Sequence, residues 1–224
     1  MKKSFIFSFL ITLFLVLFFG YLKCVFIIYV ILGYGHFLLS YMYLTKSFKS
    51  FLITLLFMCV QLIIYLSNIS TEHIILFSAS VFYLHFCFNE YEISKNLRSL
   101  SFVTTLALSI IGYIYVVLVY ILGSKESSIF SLENIIGLTI ILHILRWYFY
   151  LIFDKKYYIR NSRFIYNIFI INILFFVLYF ILVSIPEKST LYQSLDSLFS
   201  ARFYYIAAVM HIFYTSSPVK NFLV

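Results

Sequence analysis

The sequence predicts an all-α, polytopic integral membrane protein with about eight transmembrane helices. The chain of 224 residues is 64% hydrophobic and only 11% charged, whereas a soluble domain is nearer to half apolar and a quarter charged. Apolar runs long enough to cross a hydrocarbon core, about 20 residues each, follow one another along the chain. Basic residues are concentrated between alternate runs, as in membrane proteins. A single transmembrane domain is therefore expected over residues 1–224.

Eight spans follow from the hydropathy of the chain. Their predicted limits are 4–21, 24–44, 50–67, 73–89, 100–122, 134–153, 164–184 and 202–217. Only Gly20 and Lys23 interrupt the first two, so the turn between them must be tight. The first segment also has the basic start and apolar middle of a secretory signal, but no small-residue cleavage site follows it. A retained first helix is favoured, and seven spans would remain if this segment were cleaved.

The distribution of lysine and arginine orients these spans. If the N-terminus is inside, the outer segments contain only Lys23, Lys125 and Lys188. The inner segments contain Lys2, Lys3, Lys46, Lys49, Lys95, Arg98, Lys155, Lys156, Arg160, Arg163 and Lys220. This positive-inside pattern predicts cytoplasmic termini, in what we expect to be a bacterial inner membrane. It explains the net charge of +8 without nucleic acid, since basic inner loops are expected to meet anionic lipid.

Four histidines, His36, His85, His143 and His211, lie within the second, fourth, sixth and eighth spans. Each precedes an inner basic residue by nine to twelve positions, which places all four at one depth, roughly 13–18 Å above the inner boundary. Intramembrane ionisable residues are costly and mark functional sites. Imidazoles bind metals, and helix bundles build metal sites from facing helices. The sequence therefore predicts a four-histidine metal site; the alternative is four unrelated histidines, each hydrogen-bonded to a neighbouring Tyr or Ser.

Arg146 follows His143 by three positions and needs an anionic partner inside the membrane. The acidic residues near the inner boundary are Glu90, Glu92 and Asp154. Glu90 is the one nearest to a histidine in the sequence. We therefore regard Glu90 and Arg146 as candidate catalytic residues, and Glu90 or Asn89 as candidates to orient the His85 imidazole.

Four short segments surround the histidines: LGYGHFLLSYMYLTKS (32–47), LHFCFNE (84–90), LHILRW (142–147) and VMHIFYTSS (209–217). In the same order, they resemble the histidine motifs of the Brp/Blh-type β-carotene dioxygenase family. Gly33 and His36 keep the skeleton of the first motif. Ser40 replaces an acid of that motif, and Trp147 stands where the third motif has a second histidine.

The resemblance implies an iron-dependent oxygenase of the membrane that cleaves carotenoids, as in the conversion of β-carotene to retinal. The four histidines would bind Fe(II), O2 would be the co-substrate, and an apolar lipid or polyene would enter from the bilayer. If only three imidazoles bind, Glu90 could complete a His–carboxylate set.

Two other classes of function remain open. A transporter or proton-relay protein also has His, Arg and Glu within its spans. That class is expected to have helices broken by Gly or Pro, which the sequence suggests only at Gly33 and Gly35. Trp147 suits the other class, a non-catalytic membrane scaffold derived from an enzyme.

Overall fold

A computed structural model describes residues 3–44, 48–122, 132–154 and 163–215. Within these ranges the chain forms nine α-helices, and six are long and apolar enough to cross a membrane. The helices are α1 Lys3–Tyr21, α2 Val25–Leu44, α3 Phe48–Leu66, α4 Thr71–Ser94, α5 Leu100–Leu122, α6 Leu132–Phe149, α7 Phe164–Ser184, α8 Thr190–Phe199 and α9 Ala201–Thr215. A π-helical turn, Tyr150–Asp154, extends α6. The predicted all-α polytopic fold is confirmed.

Each predicted span corresponds to one helix within a few residues. The six long candidates are α1, α2, α4, α5, α6 and α7. The other two spans are shorter helices: α3 has an apolar part of Phe51–Leu66, and α9 has 15 residues. Several basic residues used to orient the spans, among them Lys46, Lys155, Arg160 and Lys220, lie outside the described residues. The cytoplasmic position of the termini stays a prediction.

Helix α8 was not predicted, because its polar residues gave it the composition of an outer loop. Ser189 caps its N-terminus, and the Ser189 hydroxyl accepts a hydrogen bond from the Tyr192 amide at 3.0 Å. Such a cap satisfies one of the amides that have no partner at the start of a helix. Leu195 and Phe199 are buried on one face, so α8 is amphipathic and does not resemble a span.

The turn between α1 and α2 is as tight as predicted. The amide of Cys24 donates to the carbonyl of Phe19 at 2.9 Å, and that of Lys23 to the carbonyl of Gly20 at 3.0 Å. This pair of bonds is the Schellman motif, which ends a helix through one left-handed residue. Lys23, with a φ of 56°, takes the position that glycine usually occupies.

The chain divides into two compact units, each assembled from separate stretches. Unit 1 consists of Met1–Gly33 and Ala79–Tyr166, and unit 2 of Tyr34–Ser78 and Asn167–Val224. Helices α2, α4 and α7 therefore contribute residues to both units. The sequence-based expectation of one domain over the whole chain stays a prediction.

In unit 1, α1 packs along α6. The buried face of α1 contains Ser4, Ser8 and Thr12, spaced four residues apart, and each is fully buried. Small side chains at this spacing let two helices approach closely, which is how helices associate where lipid removes the hydrophobic driving force. The four-residue spacing is visible in the sequence, but hydropathy alone did not single it out.

In unit 2, α9 packs along α3 and is tied to it at both ends. At the start of α9 the Arg202 guanidinium donates to backbone carbonyls at the end of α3 and just after it, those of Ile64, Tyr65, Ser67 and Ile69. Near the end of α9, the Tyr214 hydroxyl accepts a hydrogen bond from Thr54 at 2.8 Å. His211 lies on α9 between these two sets of contacts, so both of them fix its position relative to α3.

Candidate functional site

The structure brings the four histidines together as two pairs, one in each unit. In unit 2 the ring centroids of His36 and His211 are 4.7 Å apart, and the rings are inclined at 66°. In unit 1 those of His85 and His143 are 5.1 Å apart, with the rings at 68°. Each pair joins two helices, α2 with α9 and α4 with α6. Within each unit, two of the predicted ligands are therefore neighbours.

A single site formed by all four histidines stays a prediction. In the ranges that the structure describes, no three His, Cys, Asp or Glu side chains are grouped closely enough to hold a metal ion. Each pair by itself offers two imidazoles, and the sequence could not have told which histidine pairs with which.

The pair in unit 2 is enclosed by apolar groups. His36 and His211 are only 3% and 2% exposed. Phe37, the neighbour of His36 on α2, stacks on the His211 ring with centroids 4.8 Å apart. Tyr41, one turn further along α2, contacts the same ring edge-on at 6.2 Å. Aromatic side chains from α2 therefore hold the imidazole of α9 in place.

The expected break of α2 at Gly33 and Gly35 is wrong, because the helix continues through both. Gly35 serves a different purpose. A Cβ atom at this position would overlap the side-chain amide of Asn172 on α7. That amide donates to the Ile168 carbonyl of its own helix at 2.7 Å. The missing side chain thus lets α7 approach α2 beside His36, a role that does not need a kink.

The pair in unit 1 is set by one face of α4. Phe82, His85 and Phe86 occupy positions i, i+3 and i+4, which lie on the same side of a helix. Their ring centroids are 5.7, 5.1 and 5.4 Å from that of His143. His143 is 4% exposed, so it is as well buried as the histidines of unit 2.

A buried ion pair lies close in sequence to the unit 1 histidines. The Arg146 guanidinium donates to both carboxylate oxygens of Glu90, from Nε at 2.8 Å and from Nη2 at 3.2 Å. The two side chains are only 2% and 1% exposed. Of the three acids considered as partners of Arg146, Glu90 is thus the main one. Glu92 instead pairs with Lys95 on the surface.

Two further groups complete this ion pair. Nη1 of Arg146 donates to the Ser4 hydroxyl at 2.5 Å and is 3.7 Å from Asp154. The Ser4 hydroxyl in turn donates to Asp154 at 2.8 Å. The Phe5 ring lies 5.8 Å from the guanidinium carbon, within the range of a cation–π contact. A buried guanidinium is tolerated only when its donors are satisfied in this way, and sequence reasoning missed Ser4.

Helix α4 does not end near Glu90 but continues to Ser94. Both oxygens of Glu90 bond to Arg146, so the main task of this carboxylate in the structure is to neutralise the guanidinium. The catalytic roles of Glu90 and Arg146, and an orienting role of Glu90 or Asn89 toward His85, stay predictions. Trp147, which stands where the related motif has a histidine, packs on Phe164 with ring centroids 6.2 Å apart.

An aromatic pocket of about 380 Å³ lies beside the unit 2 histidines. Phe37 and Tyr41, which contact His211, form part of its wall. Gln61 of α3 contributes an amide to an otherwise largely apolar lining. Sequence reasoning started from the ionisable groups within the spans and their neighbours along the helix, and it therefore missed the amides Gln61 and Asn172. The same rule, that polar groups in lipid need a reason, would have found both.

Comparisons with protein-family models, characterised proteins and solved structures found no match to this chain. The resemblance to β-carotene dioxygenases accordingly depends on the four histidine segments alone.

Proposed function

We propose that this protein is a metal-dependent oxygenase of the membrane that acts on an apolar, lipid-soluble molecule. One observation carries the proposal: in each unit, histidines from two helices lie side by side, and three of the four, His36, His143 and His211, are buried. At a metal–nitrogen distance of about 2.1 Å, two imidazoles on one metal have centroids roughly 4.5–5.2 Å apart. The observed separations of 4.7 and 5.1 Å fall in this range.

The donor set fits the metal that the sequence suggested. Imidazole is a good ligand for Fe(II). The residues that would hold it are His36 with His211 in unit 2 and His85 with His143 in unit 1. Fe(II), when bound, would supply the chemistry that activates O2. The protein's own contribution is to orient the imidazoles and to exclude water. Phe37 does so for His211, and Phe82 and Phe86 do so for His143.

An apolar substrate is favoured by the surfaces through which it would enter. Large hydrophobic side chains are exposed on the outside of the helices, for example Phe14 at 64% and Phe88 at 69%. Such a surface suits a bilayer, from which a lipid or polyene can diffuse sideways. The pocket beside His211 is also lined mainly by aromatic and aliphatic groups.

Metal analysis of the purified protein tests the proposal. We expect bound iron in the wild-type protein, and a loss of more than half of it in His211→Ala and in His143→Ala. The matched control is His73→Ala, because His73 lies at the start of α4 on the surface and bonds to Ser70. Iron-free wild-type protein, or equal losses in all three variants, would contradict the proposal.

Expression in carotene-producing cells tests the substrate separately. Loss of pigment with formation of retinal would identify a carotenoid substrate. Unchanged pigment in cells whose protein contains iron would exclude carotene cleavage and indicate another lipid.

A second candidate function, a proton relay, is favoured by the ion-pair cluster of unit 1. Asp154 is 22% exposed, and hydrogen bonds lead from it through Ser4 and Arg146 to the fully buried Glu90. Intramembrane carboxylates in such chains mark proton pathways. Proton uptake by reconstituted vesicles, lost in Glu90→Gln, would support this function, and uptake unchanged by the substitution would exclude it.

A further inference from the structure

The pocket of unit 2 is lined by apolar side chains, by two tyrosines and by one amide, that of Gln61. Its walls come from several helices and contain five aromatic rings, those of Tyr34, Phe37, Tyr41, Phe175 and Phe203, together with aliphatic side chains. Its volume of about 380 Å³ lies at the lower end of the range of small-molecule sites, roughly 300–1,000 Å³. The pocket can therefore hold a compact apolar molecule or the end of a chain-like one.

Gln61 is the feature that apolar packing does not explain. It lies in the apolar part of α3, Phe51–Leu66, and its side chain lines the pocket. Among the described residues, no side chain or backbone group hydrogen-bonds to its amide. An amide that leaves water without a partner costs roughly 1–3 kcal/mol in proteins, and lipid chains offer no hydrogen bond. A leucine here would cost less free energy, so we expect the amide to bond to a group outside the described residues, and a bound ligand can supply one.

We propose that this pocket binds a lipid-soluble molecule with one polar oxygen, a carbonyl or a hydroxyl, which hydrogen-bonds to the Gln61 amide. Nε2 of Gln61 can donate to either kind of oxygen, and Oε1 can also accept from a hydroxyl. The remaining, apolar part of the ligand packs on the aromatic walls. A pure hydrocarbon would fill the same space but leave the amide without a partner.

The ligand in this position lies beside the His36–His211 pair. Phe37 and Tyr41 line the pocket on one side and contact the His211 ring on the other. The inference deepens the proposed function, since it names a class of substrate for it. Its evidence is Gln61 and the pocket, and binding does not require a metal.

Photolabelling with a matched pair of probes tests the inference. The probes are a diazirine-bearing dodecanol and the diazirine-bearing dodecane that lacks only the hydroxyl. Both are added to metal-stripped protein in lipid nanodiscs, and the labelled peptides are identified by mass spectrometry. We expect dodecanol to label peptides containing Met58 and Phe203 about fivefold more than dodecane, the ratio given by one hydrogen bond.

Two variants make the result specific to the pocket. Gln61→Met keeps the volume of the side chain and removes the amide, so both probes should label it equally. Leu62→Trp adds bulk to the pocket wall at a residue that is 52% exposed, and it should lower labelling by both probes. Thermal unfolding of each variant confirms that it is folded.

Equal labelling of the wild-type protein by both probes would overturn the inference, because ordinary lipid chains would then occupy the pocket. A preference for dodecanol that persists in Gln61→Met would also overturn it. Because the protein is metal-stripped, these outcomes are independent of the iron measurement. Ligand binding in the pocket can thus be confirmed even if the oxygenase proposal fails. The oxygenase proposal can likewise be confirmed even if ligand binding through Gln61 is not.

Discussion

The two histidine pairs have nearly the same ring separation, and phenylalanine rings pack on both, but they differ in what lies next to them. In unit 1, His143 is one turn from Arg146, whose charge is neutralised by Glu90 in the protein interior. In unit 2, His211 is stacked on Phe37 beside an aromatic pocket. The comparison shows that the geometry of an imidazole pair does not by itself determine the function of that pair. Unit 1 has a neutralised ion pair one turn along α6 from His143, whereas unit 2 has a pocket beside His211.

The largest expected effect comes from breaking the charge balance of unit 1. Glu90→Leu leaves the buried Arg146, among the described residues, with the Ser4 hydroxyl and with one carboxylate, that of Asp154, 3.7 Å away. Removing one partner of a buried ion pair costs about 3–5 kcal/mol, so we expect the free energy of unfolding to fall by that amount. Thermal or denaturant unfolding of the purified protein in detergent measures this loss.

The double variant Glu90→Leu/Arg146→Leu is the control for that prediction. Apolar replacement of both partners is often neutral, so most of the lost stability should return. A double variant as unstable as Glu90→Leu would mean that packing, rather than charge, is what unit 1 depends on.

An intermediate effect is expected where α7 approaches α2 in unit 2. Gly35→Ala places a methyl group on the Asn172 amide, and overpacking of this kind costs about 1–3 kcal/mol. Gly20→Ala is a matched control, because the nearest atoms of Asn134 would be 3.3 Å from its Cβ, and a small shift can relieve that contact.

Unfolding experiments on both variants measure the difference, together with Gly35→Ala/Asn172→Ala, which should recover the stability. If Gly35→Ala is no worse than Gly20→Ala, the close approach beside His36 is not important for unit 2.

The smallest effect is expected at the neutral hydrogen bond that ties α9 to α3. Thr54→Val removes the donor to the Tyr214 hydroxyl and should lower the free energy of unfolding by about 1 kcal/mol. Tyr214→Phe removes the same bond, so the double variant should lose little more than either single one. A loss as large as that of Glu90→Leu would contradict the contrast between the buried ion pair of unit 1 and the neutral hydrogen bond of unit 2.

Hydropathy was sufficient for most of the fold and for part of the site. Long apolar runs placed eight helices, and the shortage of acids inside the membrane left few partners for Arg146, among which Glu90 was the right one. Ser4 escaped notice because a serine in an apolar run is unremarkable until its contacts are known. Helix α8 was not predicted for the opposite reason. Its many polar residues are typical of a loop, and its two buried side chains, Leu195 and Phe199, are too few to raise its hydropathy.

The sequence by itself determined that lipid surrounds this protein, where its helices lie, and which four histidines lie within them. Only the tertiary structure decided that His36 lies beside His211, that His85 lies beside His143, and that Gln61 lines a pocket. The reason is physical: in lipid, the outer and inner faces of a helix are both apolar. The hydrophobic periodicity that marks the buried face of a soluble helix is therefore weak here, and packing between small and aromatic side chains chooses the faces instead.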